Sequence, residues 1–199
     1  MVAEKFLIAG LGNPGKSYVG TRHNIGFDAI AALAAKHKLE FQKRLKWKGS
    51  VAEGKVGEAD VILLMPLTFM NQSGEAVVPL MRYFEVELNR LLAIVDDIAI
   101  PLGQLRMRTD SSSGGHNGLK SIEEHLQTNQ FARLRIGVGD REVGDLESHV
   151  LGKFSEDEKE LVPKILERAI TAIEIWLEKG LNHAMDFANK SPPNPSRNE

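Results

Sequence analysis

Lys5-Phe6-Leu7-Ile8-Ala9-Gly10-Leu11-Gly12-Asn13-Pro14-Gly15 is a short apolar run that breaks up on glycines and a proline. Such a run, bounded by turn residues, predicts a buried strand over 5–11 and a tight turn after it. The pattern then changes: over 25–38 an alanine-rich stretch carries Ile30, Leu33 and Ala34 at helical spacing, which predicts a helix. The same alternation recurs down the chain. Further strands are predicted at 49–56, 59–65, 91–96, 104–108 and 133–138, and further helices at 74–84, 119–126 and 155–179. In the last helix Leu161, Ile165, Leu166, Ala169, Ile173 and Trp176 form one stripe, and Ser155 and Glu158 are spaced as a capping box. Strands alternating with helices predict the α/β class: one domain over 1–190, built on a twisted mixed, mostly parallel sheet flanked by helices. Residues 191–199, rich in proline and polar side chains, are expected to form a flexible tail.

The chain has 199 residues, of which 42% are hydrophobic and 26% charged, and that balance excludes wholesale disorder. Its net charge of −2 conceals an asymmetry, because residues 1–55 hold ten Lys/Arg against four acids, a local excess of +6. A basic face for a polyanion is therefore compatible with a near-neutral total. There is no cysteine, which excludes disulfides, thiolate nucleophiles and Cys-based metal sites. The longest apolar run, 61–67, is far short of the roughly 20 residues that cross a bilayer. No secretory signal pattern opens the chain, so a cytoplasmic location without membrane association is expected.

Gly10-Leu11-Gly12-Asn13-Pro14-Gly15 satisfies the glycine spacing of a dinucleotide-binding turn. That fingerprint also requires a helix opening at the glycines and an acid roughly 20 residues on. Here residues 16–25 lack helical periodicity, and the ribose-acid position falls among Lys36, His37 and Lys38. The turn is better read as one that presents Asn13 at a strand end.

Five clusters place small polar or ionisable residues where a predicted strand runs out: Asn13-Pro14-Gly15, Thr21-Arg22-His23-Asn24, Thr68-Phe69-Met70-Asn71, Val95-Asp96-Asp97 and Ser113-Gly114-Gly115-His116-Asn117-Gly118. Open α/β sheets put their ligand sites at such ends, so the five could line one crevice. His23 precedes a helix whose positive end disfavours an imidazolium, as a general base requires. Asp96, against the other ring nitrogen, would fix the tautomer. With no cysteine and no nucleophile-elbow serine, water is the remaining nucleophile. The six histidines are scattered without metal-ligand spacing, so neither metal nor cofactor is expected. Asn13, Asn71 and Asn117 supply neutral donors and acceptors suited to amide and ester groups. The glycines before the helix at 119 could form an anion nest. Arg106 with Arg108, and Arg133 with Arg135, each share one strand face, either as ordinary solvated faces or as a cationic patch for a phosphate. Lys43, Arg44, Lys46, Trp47 and Lys48 form a second basic patch, compatible with RNA or with a lysine-protected edge strand.

Taken with Arg133-Leu134-Arg135-Ile136-Gly137, the runs 10–15, 21–26, 68–74 and 114–120 resemble, in order and spacing, the bacterial-type peptidyl-tRNA hydrolases over about residues 5–190. The resemblance implies a monomeric, metal-free, cytosolic esterase that cleaves peptide from the terminal ribose of tRNA. It implies His23 as catalytic base and Asp96 as its supporting acid. Asn13, Asn71 and Asn117 would position substrate, with Tyr18, Phe69 and Met70 shaping the cleft, and Arg108 and Arg135 would hold the tRNA 5′-phosphate. Three departures stand out. Arg108 replaces a usual lysine, Ala99 replaces a second acid, and Asp110-Ser111-Ser112-Ser113 replaces a glycine-rich stretch. The alternative is a non-catalytic RNA-binding member of the same fold, which would bind RNA without turnover.

Overall fold

The computed structural model describes residues 4–139 and 146–191, so nearly all of the expected tail lies outside the described residues. The elements run β1 (Phe6–Gly10), α1 (Ile25–Lys36), β2 (Gln42–Arg44), β3 (Gly49–Val56), β4 (Ala59–Pro66), α2 (Gly74–Tyr83), β5 (Leu91–Asp97), β6 (Leu105–Arg108), α3 (Asn117–Leu126), β7 (Ala132–Gly137), α4 (Leu146–Leu151), α5 (Glu156–Lys179) and α6 (Leu181–Ala188). The strands form one seven-stranded sheet in the order β2-β3-β4-β1-β5-β7-β6. β1 pairs in parallel with β4 and β5, and β5 with β7. The remaining pairs, β2 with β3, β3 with β4 and β6 with β7, are antiparallel, so the sheet is mixed with a parallel centre.

Side-chain alternation assigns the two faces. Ile8, Leu92, Ile94, Leu134 and Ile136 face a core closed by α1 and α5, whose Ile30, Leu33, Ala169, Ile173 and Trp176 pack there. Leu7, Ala9, Leu91, Ala93 and Val95 face the opposite core, closed by α2 and α3 through Val77, Leu80, Leu119 and Ile122. The chain leaves β1 through α1 on one face to reach β4, and leaves β5 towards β7 through α3 on the other. The connections therefore diverge between β1 and β5, and a ligand crevice is expected outside the carboxyl ends of those two strands.

α1 can take its place only because two glycines meet beneath it. A Cβ on Gly10 would stand 2.2 Å from the Gly26 carbonyl oxygen, and one on Gly26 would stand 2.5 Å from the carbonyl oxygens of both Ile94 and Leu11. Gly10, the first glycine of the apparent dinucleotide fingerprint, thus serves close helix–sheet packing. Next to the turn that opens α1, the Ser155 hydroxyl accepts from the Glu158 amide at 3.3 Å, and the Glu158 carboxylate accepts from the Ser155 amide at 2.7 Å, completing the expected capping box of α5.

Three elements escaped the sequence reading. β2 is a three-residue polar edge strand, visible only through its pairing with β3. α4 and α6 are short, and α6 restarts after Gly180, whose φ of 84° ends α5. One expectation is corrected: Arg133 and Arg135 do not lie on a solvated strand face. β7 lies between β5 and β6 with both faces covered, and all six of its residues are buried. No helix among the described residues is long and apolar enough to cross a membrane.

Candidate active site

A crevice of about 590 Å³ opens outside the carboxyl ends of β1 and β5, and Asn13, Tyr18, His23, Phe69, Met70, Asn71, Asp96, Asn117 and Arg135 all line it. The loop after β1 is held by its own amides. The Leu11 amide donates to the Ile94 carbonyl at 2.9 Å, the Asn13 amide donates to Asn24 Oδ1 at 2.8 Å, and Asn24 Nδ2 donates back to the Asn13 carbonyl at 3.0 Å. Asn13 Oδ1 in turn accepts from the Met70 amide at 2.8 Å, joining this loop to the one after β4. The Asn13 side chain is thereby fixed with its oxygen occupied, so its NH2 is the group left for a ligand.

His23 sits in a 3-10 turn, Arg22–Asn24, that runs directly into α1. Its Nδ1 is 2.7 Å from Asp96 Oδ1. The same oxygen lies 3.1 Å from Nε2 of His116. His116 is the N-cap of α3, and its Nδ1 accepts from the amides of Gly118 and Leu119 at 3.2 and 3.3 Å. With Nδ1 an acceptor, the proton of His116 is on Nε2 and is donated to Asp96. His23 likewise turns Nδ1 to Asp96, and its Nε2 has no hydrogen-bond partner among the described residues. Asp96 is only 4% exposed. Burial pushes its carboxyl up, but the N–H groups of His116 and His23 outweigh that and hold it well below the ordinary carboxylate range.

His23, Asp96 and His116 bring ligand-type atoms within 4.8 Å of one another. This set does not suit a cation. A metal on Nε2 of His116 needs the proton moved to Nδ1, where two amides already donate, and the 2.7 Å approach of His23 to Asp96 is shorter than the roughly 3.3 Å between neighbouring ligands around a tetrahedral zinc.

Around this core the charges are tied in pairs. Arg135 Nη1 meets Asp97 Oδ2 at 3.0 Å, and its Nη2 donates to the Ser112 carbonyl at 2.7 Å, drawing the loop before α3 towards the crevice. Arg133 is fully buried on the Phe131 ring, with Nη2 at 2.9 Å from both Glu123 Oε1 and the Asn129 carbonyl. Its role is structural. Arg22, the residue before the base, grips both oxygens of Glu158 at 2.8 and 2.6 Å and donates to the Val138 carbonyl at 3.3 Å, so the turn carrying His23 is anchored to the start of α5 and the end of β7.

The family model described as peptidyl-tRNA hydrolase matches residues 7–196. The chain belongs to the peptidyl-tRNA hydrolase family. It is 47% identical to the peptidyl-tRNA hydrolase of Gloeobacter violaceus over 95% of this chain and 98% of that one, and 46% identical to that of Caldanaerobacter subterraneus over 92% and 99%. The crystal structure of peptidyl-tRNA hydrolase from Acinetobacter baumannii superposes with a TM-score of 0.90 at 34% identity, covering 98% of this chain and 99% of that one.

Of the residues expected in a peptidyl-tRNA hydrolase site, one stands apart. Arg108 is exposed on the edge strand β6, opposite Arg133 in the β6–β7 register, and is not among the crevice-lining residues. Arg106 pairs with Arg135 and is nearer the crevice end of that strand pair. The sequence reading gave no role to His116 or Asn24. The signal was a histidine directly before a helix start, which reads as a cap; it is a cap, and its second nitrogen reaches the buried acid.

Proposed function

We propose that His23, positioned by Asp96, is the general base with which this hydrolase cleaves the ester of peptidyl-tRNA. The support is a single geometric fact: an imidazole whose Nδ1 lies 2.7 Å from a buried carboxylate lines a crevice that also holds three asparagines. Nε2 of His23 takes a proton from water, and the hydroxide attacks the ester carbonyl. The carboxylate of Asp96 stabilises the imidazolium that forms, which returns the proton to the ribose oxygen as tRNA leaves. The Asn13 NH2 is a donor for a carbonyl or a developing oxyanion. Asn71 and Asn117, both exposed at the crevice, offer donor and acceptor to the last backbone amides of the peptide. A simple aminoacyl-tRNA lacks that peptide bond and leaves these groups unpaired, which spares it. Tyr18, Phe69 and Met70 shape the walls, and Arg108 and Arg135 hold the tRNA 5′-phosphate end. The enzyme works as a monomer without a metal ion.

The test is release of tRNA from N-acetylaminoacyl-tRNA beside unblocked aminoacyl-tRNA, with and without EDTA, using His23→Ala as control. Cleavage of the blocked substrate alone, insensitive to EDTA and lost in the variant, is the expected result. An active His23→Ala enzyme would remove the base assignment.

A further inference from the structure

A second groove, of about 570 Å³, adjoins the crevice and shares the Phe69 side chain as a wall. It is lined by Lys43 and Arg44 of the edge strand β2, by Leu45 and Lys48, and by Thr68. Its chemistry is mixed. Leu45 and Phe69 are 79% and 57% exposed, and the Thr68 hydroxyl has no hydrogen-bond partner among the described residues. Lys48 is paired with Glu75 at 2.6 Å, whereas Lys43 and Arg44 have no acidic partner among the described residues and leave the groove with a net positive charge. Lysine on an edge strand ordinarily guards against sheet-to-sheet pairing. That role needs no concave, part-apolar lining continuous with a reaction crevice.

We infer that this groove is a subsite for the upstream residues of the peptide, and that it favours acidic side chains there. The inference rests on the proposed hydrolysis of peptidyl-tRNA. The sheet gives the direction. The arginines assigned to the tRNA phosphate, Arg108 and Arg135, are on β6 and β7 at one end of the strand order, and the groove is on the β2 side, at the opposite end. With RNA on the β6 side, the peptide leaves the ester past Asn13 and Asn71 and crosses Phe69. A phenyl ring spans roughly two residues of extended chain at about 3.4 Å each, so the third and fourth residues from the ester reach the groove. Exposed apolar side chains with an uncompensated Lys–Arg pair suit a peptide that carries carboxylates.

The experiment uses one tRNA charged with three N-acetylated groups: a single amino acid, a tetrapeptide with aspartate at its two upstream positions, and the same tetrapeptide with lysine there. The wild-type enzyme is expected to prefer the aspartyl over the lysyl tetrapeptide by roughly five- to tenfold in kcat/KM, the size of two exposed charge contacts. Lys43→Glu/Arg44→Glu should abolish or invert that preference while the single amino acid is released as before. Equal rates for both tetrapeptides in the wild type would overturn the subsite. A double variant that slows all three substrates alike, with a shallower salt dependence, would assign the groove to RNA and overturn it too. If the wild type leaves even the N-acetylaminoacyl ester intact, the hydrolase reading itself has failed, and the subsite falls with it.

Discussion

One carboxylate oxygen, Asp96 Oδ1, accepts from two imidazoles, and the difference between those imidazoles separates their roles. His116 is committed at both nitrogens, whereas His23 keeps one nitrogen for the substrate side. Asp96→Asn removes the charge that stabilises a protonated His23, so kcat should fall about 10²–10⁴-fold with KM nearly unchanged, as measured on N-acetylaminoacyl-tRNA. His116 carries two functions that substitution can separate. His116→Ala loses the α3 cap, costing about 1 kcal/mol in thermal melts, together with the donor to Asp96. Asparagine is a good cap but too short to reach Asp96, so His116→Asn should keep the melting temperature and still lose about tenfold in kcat. A His116→Asn enzyme with full kcat would reduce His116 to a cap. At this scale the sequence was half legible: a histidine before a helix points to base or cap chemistry, but which acid it reaches depends on how β5 and α3 are placed across the crevice.

α1 carries the base into position, and its seat is set by contacts too close for any side chain other than hydrogen. The Gly-x-Gly pattern was readable, but its purpose was not, since periodicity gives a helix and never the distance at which it packs. Gly26→Ala would put a methyl 2.5 Å from two backbone oxygens, so α1 must lift and swing His23 away from Asp96. Activity should fall at least tenfold and the melting temperature should drop, both beyond the effect of Ala29→Gly on the same helix. The same helix holds Asp28, which burial pushes up to about 6. Its unfolded value is near 3.8. Between these two values the folded chain binds more protons than the unfolded one, so this group lowers stability as pH rises from about 4 to about 6, and its full penalty, at most about 3 kcal/mol, applies above that. Asp28→Asn should therefore melt higher than wild type at pH 8 and level with it below pH 4. An equal gain at both pH values would point to packing instead of titration.

Across the whole molecule the net charge of −2 says little, because strand order decides which cations meet solvent. Arg106, Arg108, Arg133 and Arg135 look alike in the sequence, two per strand at alternate positions. Only the order β5-β7-β6 makes β7 internal, burying Arg133 completely and leaving Arg135 at 7% exposure, while Arg106 and Arg108 stay exposed on the sheet edge. A single sequence carries the strand pattern but not the neighbour list, so the α/β class was legible and this division was not. The division predicts different outcomes for arginine substitutions of the same kind. Arg108→Ala removes a surface cation that has no acidic partner among the described residues, so tRNA affinity should fall and the slope of log K against log salt should shrink by about 0.7–0.9, with stability unchanged. Arg133→Ala leaves Glu123 without its partner and a void on Phe131, so it should lower stability by about 3–5 kcal/mol without changing the slope. Arg135 lies between them, since Asp97 already balances its charge. Arg135→Ala should weaken tRNA binding with a slope change smaller than that of Arg108→Ala, and Asp97→Asn, which frees the guanidinium, should steepen the salt dependence. Filter binding of labelled tRNA across a salt series, with denaturant melts of each variant, measures both quantities. A slope for Arg135→Ala as large as that for Arg108→Ala would mean that the ion pair with Asp97 opens when tRNA arrives.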